Sequence, residues 1–172
     1  MVADYAHIIE GCRRHDRQSQ RALYETFAPM AMGVCMRYAS DRDAAQDLLQ
    51  DGFVRVFENI AQVHNPERLG AWVYRLMLNE CLRQYRRRKP TVYAEEAQVD
   101  GVQLPLDPFG TEEVVTALQR LSPAQRTAFN LVEVEGYTYE EVAQKMKCSE
   151  VNVRALLCRA KERLREELGV KS

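Results

Sequence analysis

Apolar side chains in the first half of the chain recur at the spacing of an α-helix. Two series follow this spacing: Leu23, Phe27, Met30 and Val34, and then Leu49, Phe53, Val56 and Ile60. Because the spacing gathers side chains on one side of a helix, it predicts two helices, the second capped by Asp41 and beginning near Asp43. After a turn, a long helix is predicted over residues 67–88, ended by Pro90.

Turn residues and helix caps break the second half of the chain into shorter segments. Residues 91–111 hold glycine, prolines and scattered acids without a helical period, which predicts a flexible linker. Beyond them, Ser122 and Thr138 each open a capping box, a pattern that starts helices. No segment alternates as a strand does. The sequence therefore predicts an all-α protein of two small helical domains, an N-terminal helical bundle over residues 1–90 and a C-terminal helix-turn-helix domain over residues 112–172.

The helix-turn-helix is predicted from a short helix, a turn at residues 147–149 and a longer helix capped by Ser149. On the longer helix, the inner face holds Val153, Leu157, Ala160 and Leu164, with Leu156 at its edge. The opposite face holds Arg154, Ala155, Cys158, Arg159, Glu162 and Arg165. A solvated face would explain the charges of a lone helix. Here the turn, the caps and the preceding helix together favour contact with DNA, with a phosphate bound by the free N–H groups at the helix start.

A polar stripe runs along the long helix of the first domain. It consists of Trp72, Arg75, Asn79 and Arg86, with Arg83 beside them. A ring, an amide and guanidinium groups suit unstacked bases and phosphates better than an intact duplex. The alternative places Trp72 in the core and leaves the arginines solvated. For Trp72 both interpretations stay open, because a tryptophan can pack and line a pocket at once.

The helix predicted near residue 43 presents an acidic face. Leu49 and Phe53 point inward, whereas the outward positions hold Asp47, Gln50 and Asp51, with Arg55 close by. Such a face either serves solubility or docks a basic partner.

Composition and charge exclude several other classes of protein. Lys and Arg number 24 against 25 Asp and Glu, which argues against an all-over basic binder but permits local clusters. No apolar run is long enough to span a membrane and no signal peptide is visible, so we expect a cytoplasmic protein without membrane insertion. The five cysteines form no Cys-x-x-Cys pair, and the three histidines fit no catalytic arrangement. We therefore expect no enzyme activity, metal or cofactor.

Several segments together resemble the extracytoplasmic-function (ECF) sigma factors of bacterial RNA polymerase. The segment AQDLLQDGFVRVF at residues 45–57 is similar to the polymerase-docking helix of that family. Residues 71–88, with Trp72, Asn79 and the run Tyr85-Arg86-Arg87-Arg88, resemble its promoter-melting helix. The segments EGYTYEEVA at residues 135–143 and RAKERL at residues 159–164 resemble its second domain, in the family's order and spacing.

The resemblance implies a transcription initiation factor that binds core RNA polymerase (its β and β′ subunits) and recognises −10 and −35 promoter DNA. It assigns polymerase binding to Asp47, Gln50, Asp51 and Arg55. It assigns the −10 element to His64, Trp72, Arg75, Asn79, Arg83, Arg86 and Arg87, with Asn79 and the loop at residues 63–68 around a flipped base. It assigns the −35 element to Ser149, Asn152, Arg154, Ala155, Cys158 and Arg159.

The chain departs from the family in its recognition helix. Ala155 and Cys158 stand where polar or aromatic side chains are usual, so we predict an atypical −35 sequence. The resemblance also implies an anti-sigma factor that clamps the two domains together. A competing hypothesis is a sigma-like decoy that titrates an anti-sigma factor without productive DNA binding. The basic faces favour a working sigma factor, and the absence of a phosphate loop or triad-like set argues against an enzyme.

Overall fold

The computed structural model describes residues 5–88 and 111–170, and within these two ranges it contains helices and no strand. The first range holds α1 (Tyr5–Arg13), α2 (Arg17–Tyr38), α3 (Arg42–Asn59) and α4 (Leu69–Arg88). The second holds α5 (Glu112–Gln119), α6 (Pro123–Phe129), α7 (Tyr139–Met146) and α8 (Glu150–Leu168). The predicted all-α class is confirmed. The predicted linker lies outside the described residues, apart from Thr111, whose side chain caps α5.

Polar side chains start the helices at the predicted positions. The carboxylate of Asp41 accepts a hydrogen bond of 2.8 Å from the N–H of Ala44, and α3 begins directly after it. Ser122 and Thr138 each form a complete capping box, and Ser149 caps α8. Each cap satisfies N–H groups that a helix start leaves without a partner, which fixes where the helix begins.

Two helices differ from their predicted course. The long helix predicted from residue 67 becomes α-helical only at Leu69, because a 3₁₀ turn at Pro66–Arg68 precedes it. The sequence predicts that α6 runs on to Gly136. Instead its hydrogen bonding widens into a π-helix at Asn130–Val134, before Gly136 turns the chain with a φ of 78°. That positive φ favours glycine, which explains the stop.

The helix faces that the apolar pattern assigns to the interior are buried. They include Leu23, Phe27 and Val34 on α2, Leu49, Phe53 and Val56 on α3, and Val153, Leu157, Ala160 and Leu164 on α8. Met30 and Leu156 are half-buried at the edges of these faces. Helical periodicity alone was therefore sufficient to orient these helices.

The two halves of the chain share one hydrophobic core. Tyr74 and Leu78 of the first half belong to the same buried cluster as Leu131 and Val142 of the second. Helices α2 and α4 pack directly against α5, α6 and α7. The two predicted domains are therefore docked on each other, and the polar surfaces of each must be considered together with its neighbour.

Candidate polymerase and nucleic-acid interfaces

The outer face of α3 is acidic and open to solvent. Asp47, Gln50 and Asp51 are exposed as predicted, and Arg55 beside them is half-buried. The sequence analysis missed Val54, which lies on the same face and is 55% exposed. Val54 follows Asp47 by seven residues and Asp51 by three, and this spacing predicts that the three side chains share one face of the helix. An apolar side chain within an acidic surface can make dry contact while the acids select a basic partner.

A cavity of about 340 Å³ lies between the start of α4 and the segment before it. Its lining combines polar and aromatic side chains with a short stretch of backbone: Val63, His64, Asn65, Arg68, Ala71, Trp72 and Arg75. This volume falls in the range of small-ligand sites, about 300–1,000 Å³. The cavity brings together three predicted −10 residues, His64, Trp72 and Arg75. Trp72 also packs against the core, so this side chain both packs and lines the cavity, and its contact with a base stays a prediction.

The polar groups of this cavity are only partly satisfied within the protein. Among the described residues, the Nε atom of Arg75 is buried without a hydrogen-bond partner. A buried donor left unpaired costs free energy. The exposed loop that carries His64 is held at one end by Asn65, whose side chain accepts a hydrogen bond of 3.0 Å from the N–H of Glu67. The cavity therefore offers a ring, a donor and a shaped loop.

The rest of the polar stripe on α4 is divided between solvent and the interior. Asn79 is half-buried and is not part of the cavity lining. Arg83 pairs with Glu80 at 2.8 Å. Arg86 donates from Nε to the backbone oxygen of Lys145 at 3.0 Å, and its burial lowers the pKa of its guanidinium. Arg87 is exposed.

The outer face of α8 is open over most of its length. Asn152, Arg154, Cys158 and Arg159 are exposed, and Ala155 is half-buried. The guanidinium of Arg154 lies 5.1 Å from the ring centre of Tyr139, a cation–π contact that orients it. Val151, which the sequence analysis missed, is 77% exposed in the first turn. Small and apolar side chains beside arginines permit close approach to base edges and to thymine methyl groups.

A buried polar network joins the two halves behind these faces. Arg37 of α2 lies 3.6 Å from Glu135, with both side chains almost fully buried (5% and 2% exposed). The hydroxyl of Tyr74 donates to Glu135 at 2.9 Å and accepts from Arg37 at 3.0 Å. Burial raises the pKa of Glu135, although Tyr74 and Arg37 both act to lower it. Charged groups that are buried this deeply need each other as ion-pair and hydrogen-bond partners, because little water reaches them.

Further hydrogen bonds to backbone oxygens extend this network. Arg126 donates to the backbone oxygen of Tyr38 at 2.9 Å, and the Asn130 amide donates to that of Arg37 at 2.8 Å. Asn130 is the first residue of the π-helix, so the widened turn places its amide against α2. No local sequence pattern signals these contacts, because each partner is remote in the chain.

The described residues contain few alternative sites. None of their helices is long and apolar enough to cross a membrane. Within residues 5–88 and 111–170, no group of three or more acidic, histidine or cysteine side chains is placed to hold a metal ion.

Comparison with known proteins matches both halves of the chain to one family. Residues 23–91 match the model described as Sigma-70 region 2, and residues 111–164 match Sigma-70, region 4. The RNA polymerase sigma-H factor of Pseudomonas aeruginosa is 25% identical, over 94% of this chain and 92% of its own length. The ECF RNA polymerase sigma-E factor of Haemophilus influenzae is also 25% identical, over 94% of this chain and 93% of its own length.

One solved structure has a comparable fold. The sigma factor RpoE in its co-crystal structure with the anti-sigma factor NepR from Bartonella quintana matches with a TM-score of 0.51 and 25% identity, covering 88% of this chain and 98% of that one. The match to Sigma-70 region 2 in the first half and to Sigma-70 region 4 in the second defines a transcription initiation factor of the sigma-70 class. The chain belongs to the ECF family of RNA polymerase sigma factors, and it directs transcription initiation.

Proposed function

We propose that three separate surfaces divide the work of initiation. The acidic face of α3, with Asp47, Gln50, Asp51 and Arg55, docks on basic helices of the polymerase's largest subunit. Its exposed charges steer association with a basic partner, and Val54 adds apolar contact at its centre. The chain acts by binding rather than by catalysis, and its work on chromosomal DNA places it in the cytoplasm.

The second surface is the cavity at the start of α4, which receives a base flipped out of the −10 element. Extruding a base costs a few kcal/mol, which stacking and hydrogen bonds in the pocket repay. Trp72 provides the stacking ring, and the guanidinium of Arg75, a second lining residue, provides hydrogen-bond donors. This juxtaposition is the main support for the proposal. Arg83, Arg86 and Arg87 follow along α4 to hold phosphates, with Asn79 between them and the cavity.

The third surface is the outer face of α8, which reads the −35 element. Arg154 and Arg159 bind guanine edges or phosphates, and Asn152 suits an adenine. Ser149 and the free N–H groups of the first turn bind a phosphate. Val151, Ala155 and Cys158 give this face an unusually apolar character. We therefore expect a −35 element with thymines opposite these three side chains.

Use of both DNA surfaces at once requires the two halves to separate. A packed body of this length has a radius of gyration of roughly 16 Å. The −10 and −35 elements lie about 25 base pairs apart, about 85 Å along duplex DNA. The packed arrangement is therefore a closed form, which opens in the promoter complex. Residues 89–110 can reach roughly 70 Å when extended, enough to connect the separated halves.

An anti-sigma factor is the expected regulatory partner. The structural relative from Bartonella quintana was crystallised with one. A partner that binds both halves would hold the closed form and keep the two DNA surfaces from engaging a promoter together.

Run-off transcription with core RNA polymerase on genomic DNA tests this function. We expect promoter-specific transcripts from the wild-type chain, and their loss in Arg75→Ala. The matched control is Arg21→Ala, because Arg21 is an exposed arginine on α2 whose partner is Glu25. Binding to an anti-sigma factor without any transcript would support the decoy instead. Equal transcription by both variants would contradict the role of the cavity.

A further inference from the structure

Helix α1 contacts the loop that shapes the −10 cavity, although it precedes the family match at residues 23–91. The guanidinium of Arg13, in its last turn, donates from Nη2 to the backbone oxygen of Val63 at 2.6 Å. Nη1 of the same side chain lies 3.6 Å from the carboxylate of Glu10. One arginine thus connects α1 to a segment 50 residues further along the chain.

Val63 is the point where the chain enters this loop. Its side chain is buried, and its N–H donates to the backbone oxygen of Ile60 at 3.2 Å. The next residues, His64 and Asn65, are exposed and line the cavity. Asn65 fixes the far end through its bond to Glu67, so Arg13 supplies the corresponding restraint at the near end. A loop that is held at both ends loses little conformational entropy when its side chains bind a ligand.

We propose that Arg13 is a positioning residue for base recognition, holding the Val63 carbonyl so that the loop is preorganised to receive the flipped base. The inference rests on the proposed role of the cavity. Arg13 does not line the cavity, so it acts on the base only through the backbone of the loop. A charged donor to a carbonyl is stronger than a neutral one, which suits a restraint at a partly exposed site.

The test uses the full-length chain with core polymerase and a fork-junction promoter DNA. The DNA carries either the preferred base or an abasic site at the flipped position, and the ratio of the two affinities reports base recognition alone. We expect Arg13→Ala to reduce that ratio about tenfold, the effect of one charged hydrogen bond. Arg13→Lys, which keeps a charged donor, should recover part of it.

The matched control is Arg14→Ala. Arg14 is the next residue and lies 3.9 Å from the same Glu10, so this variant perturbs α1 without removing the bond to Val63. It should leave the affinity ratio unchanged. A purely structural role predicts that Arg13→Ala lowers the melting temperature and polymerase affinity with an unchanged ratio, and that result would overturn the inference. A wild-type chain with no preference for the base would instead overturn the cavity assignment itself.

Discussion

The two helices that we propose to face promoter DNA, α4 and α8, differ in how much of their surface is already engaged within the protein. On α4, Arg83 is paired with Glu80, and Arg86 is bonded to the backbone of Lys145 in the other half. On α8, Arg154 contacts the ring of Tyr139, while Asn152, Cys158 and Arg159 on the same face are exposed. The difference indicates that docking of the two halves engages one arginine of the proposed −10 surface, whereas the outer face of α8 stays open to solvent in the docked form.

The largest test of this comparison disrupts the buried contact between Glu135 and Arg37, which joins the two halves. Glu135→Lys places a cation beside Arg37, and loss of a buried partner costs about 3 kcal/mol, which is about a 100-fold shift toward the open form. We expect a larger radius of gyration in small-angle scattering and tighter binding of single-stranded −10 DNA. Duplex −35 binding should not change, because the outer face of α8 is free already.

Two further variants separate opening from misfolding. Glu133→Lys changes a neighbouring charge whose partner, Lys161, lies within the same half at 2.6 Å, and it should leave the closed form intact. Combining Glu135→Lys with Arg37→Glu restores opposite charges and should restore closure. If Glu133→Lys opens the chain as much as Glu135→Lys does, the buried pair is not what holds the halves together.

A smaller effect is expected on the α8 side of the comparison. Arg154→Ala should weaken duplex −35 binding about tenfold, since one well-placed arginine–guanine pair contributes about 1–3 kcal/mol. The loss should be the same in the wild-type and Glu135→Lys backgrounds, as measured by fluorescence anisotropy. Arg163→Ala, exposed further along α8, serves as the control. A loss that depends on the background would mean that docking also restrains α8.

Alanine substitutions of the adjacent residues Arg86 and Arg87 on α4 should lower −10 affinity by amounts that differ a few-fold. Arg87→Ala removes an exposed phosphate ligand, and the slope of log affinity against log salt should fall by about one. Arg86→Ala removes a phosphate ligand too, but it also removes a bond of the closed form. Its net loss in −10 affinity should therefore be smaller. Equal losses in salt titrations would indicate that the bond to Lys145 contributes nothing to closure.

The smallest effect is a dependence of closure on pH. Burial raises the pKa of Glu135 in the closed form, where Arg37, Tyr74 and Tyr38 face it, whereas solvent in the open form returns it toward the usual 4.5. The closed form therefore binds the proton more tightly. This contribution to closure is complete below about pH 4.5 and is lost as the pH rises through the raised pKa. Scattering between pH 5 and pH 8 should show opening with rising pH, and Glu135→Gln should flatten that dependence.

Local chemistry explains which parts of the fold were predictable. The caps at Asp41, Ser122, Thr138 and Ser149 act within one helical turn, so the sequence carries them directly. The short helices α1 and α5 were not predicted, although Thr111 caps α5 within one turn as well. The π-helix at Asn130–Val134 begins at Asn130, whose amide contacts α2, and no local pattern encodes that contact.

In the candidate site too, features set by local spacing were predictable, and features set by remote contacts were not. The faces of α3 and α8 are helical faces, and counting residues placed their side chains correctly. Even there, the exposed apolar side chains Val54 and Val151 were not predicted as part of these faces. The stripe on α4 was read as one surface, yet the docked second half engages Arg86, and Asn79 falls outside the cavity. Contacts between residues far apart in sequence, such as Arg37 with Glu135, decide these outcomes.

The distance between the two halves tests the central claim most directly. Spin labels can be introduced as unnatural amino acids at Glu25 on α2 and Glu166 on α8, both exposed, so that the five native cysteines remain. Pulsed dipolar spectroscopy on the free chain should give a single short distance, within the dimensions of one packed body. In the complex with polymerase and promoter, the distance should lengthen by tens of ångströms. The same short distance in a transcribing complex would contradict the account.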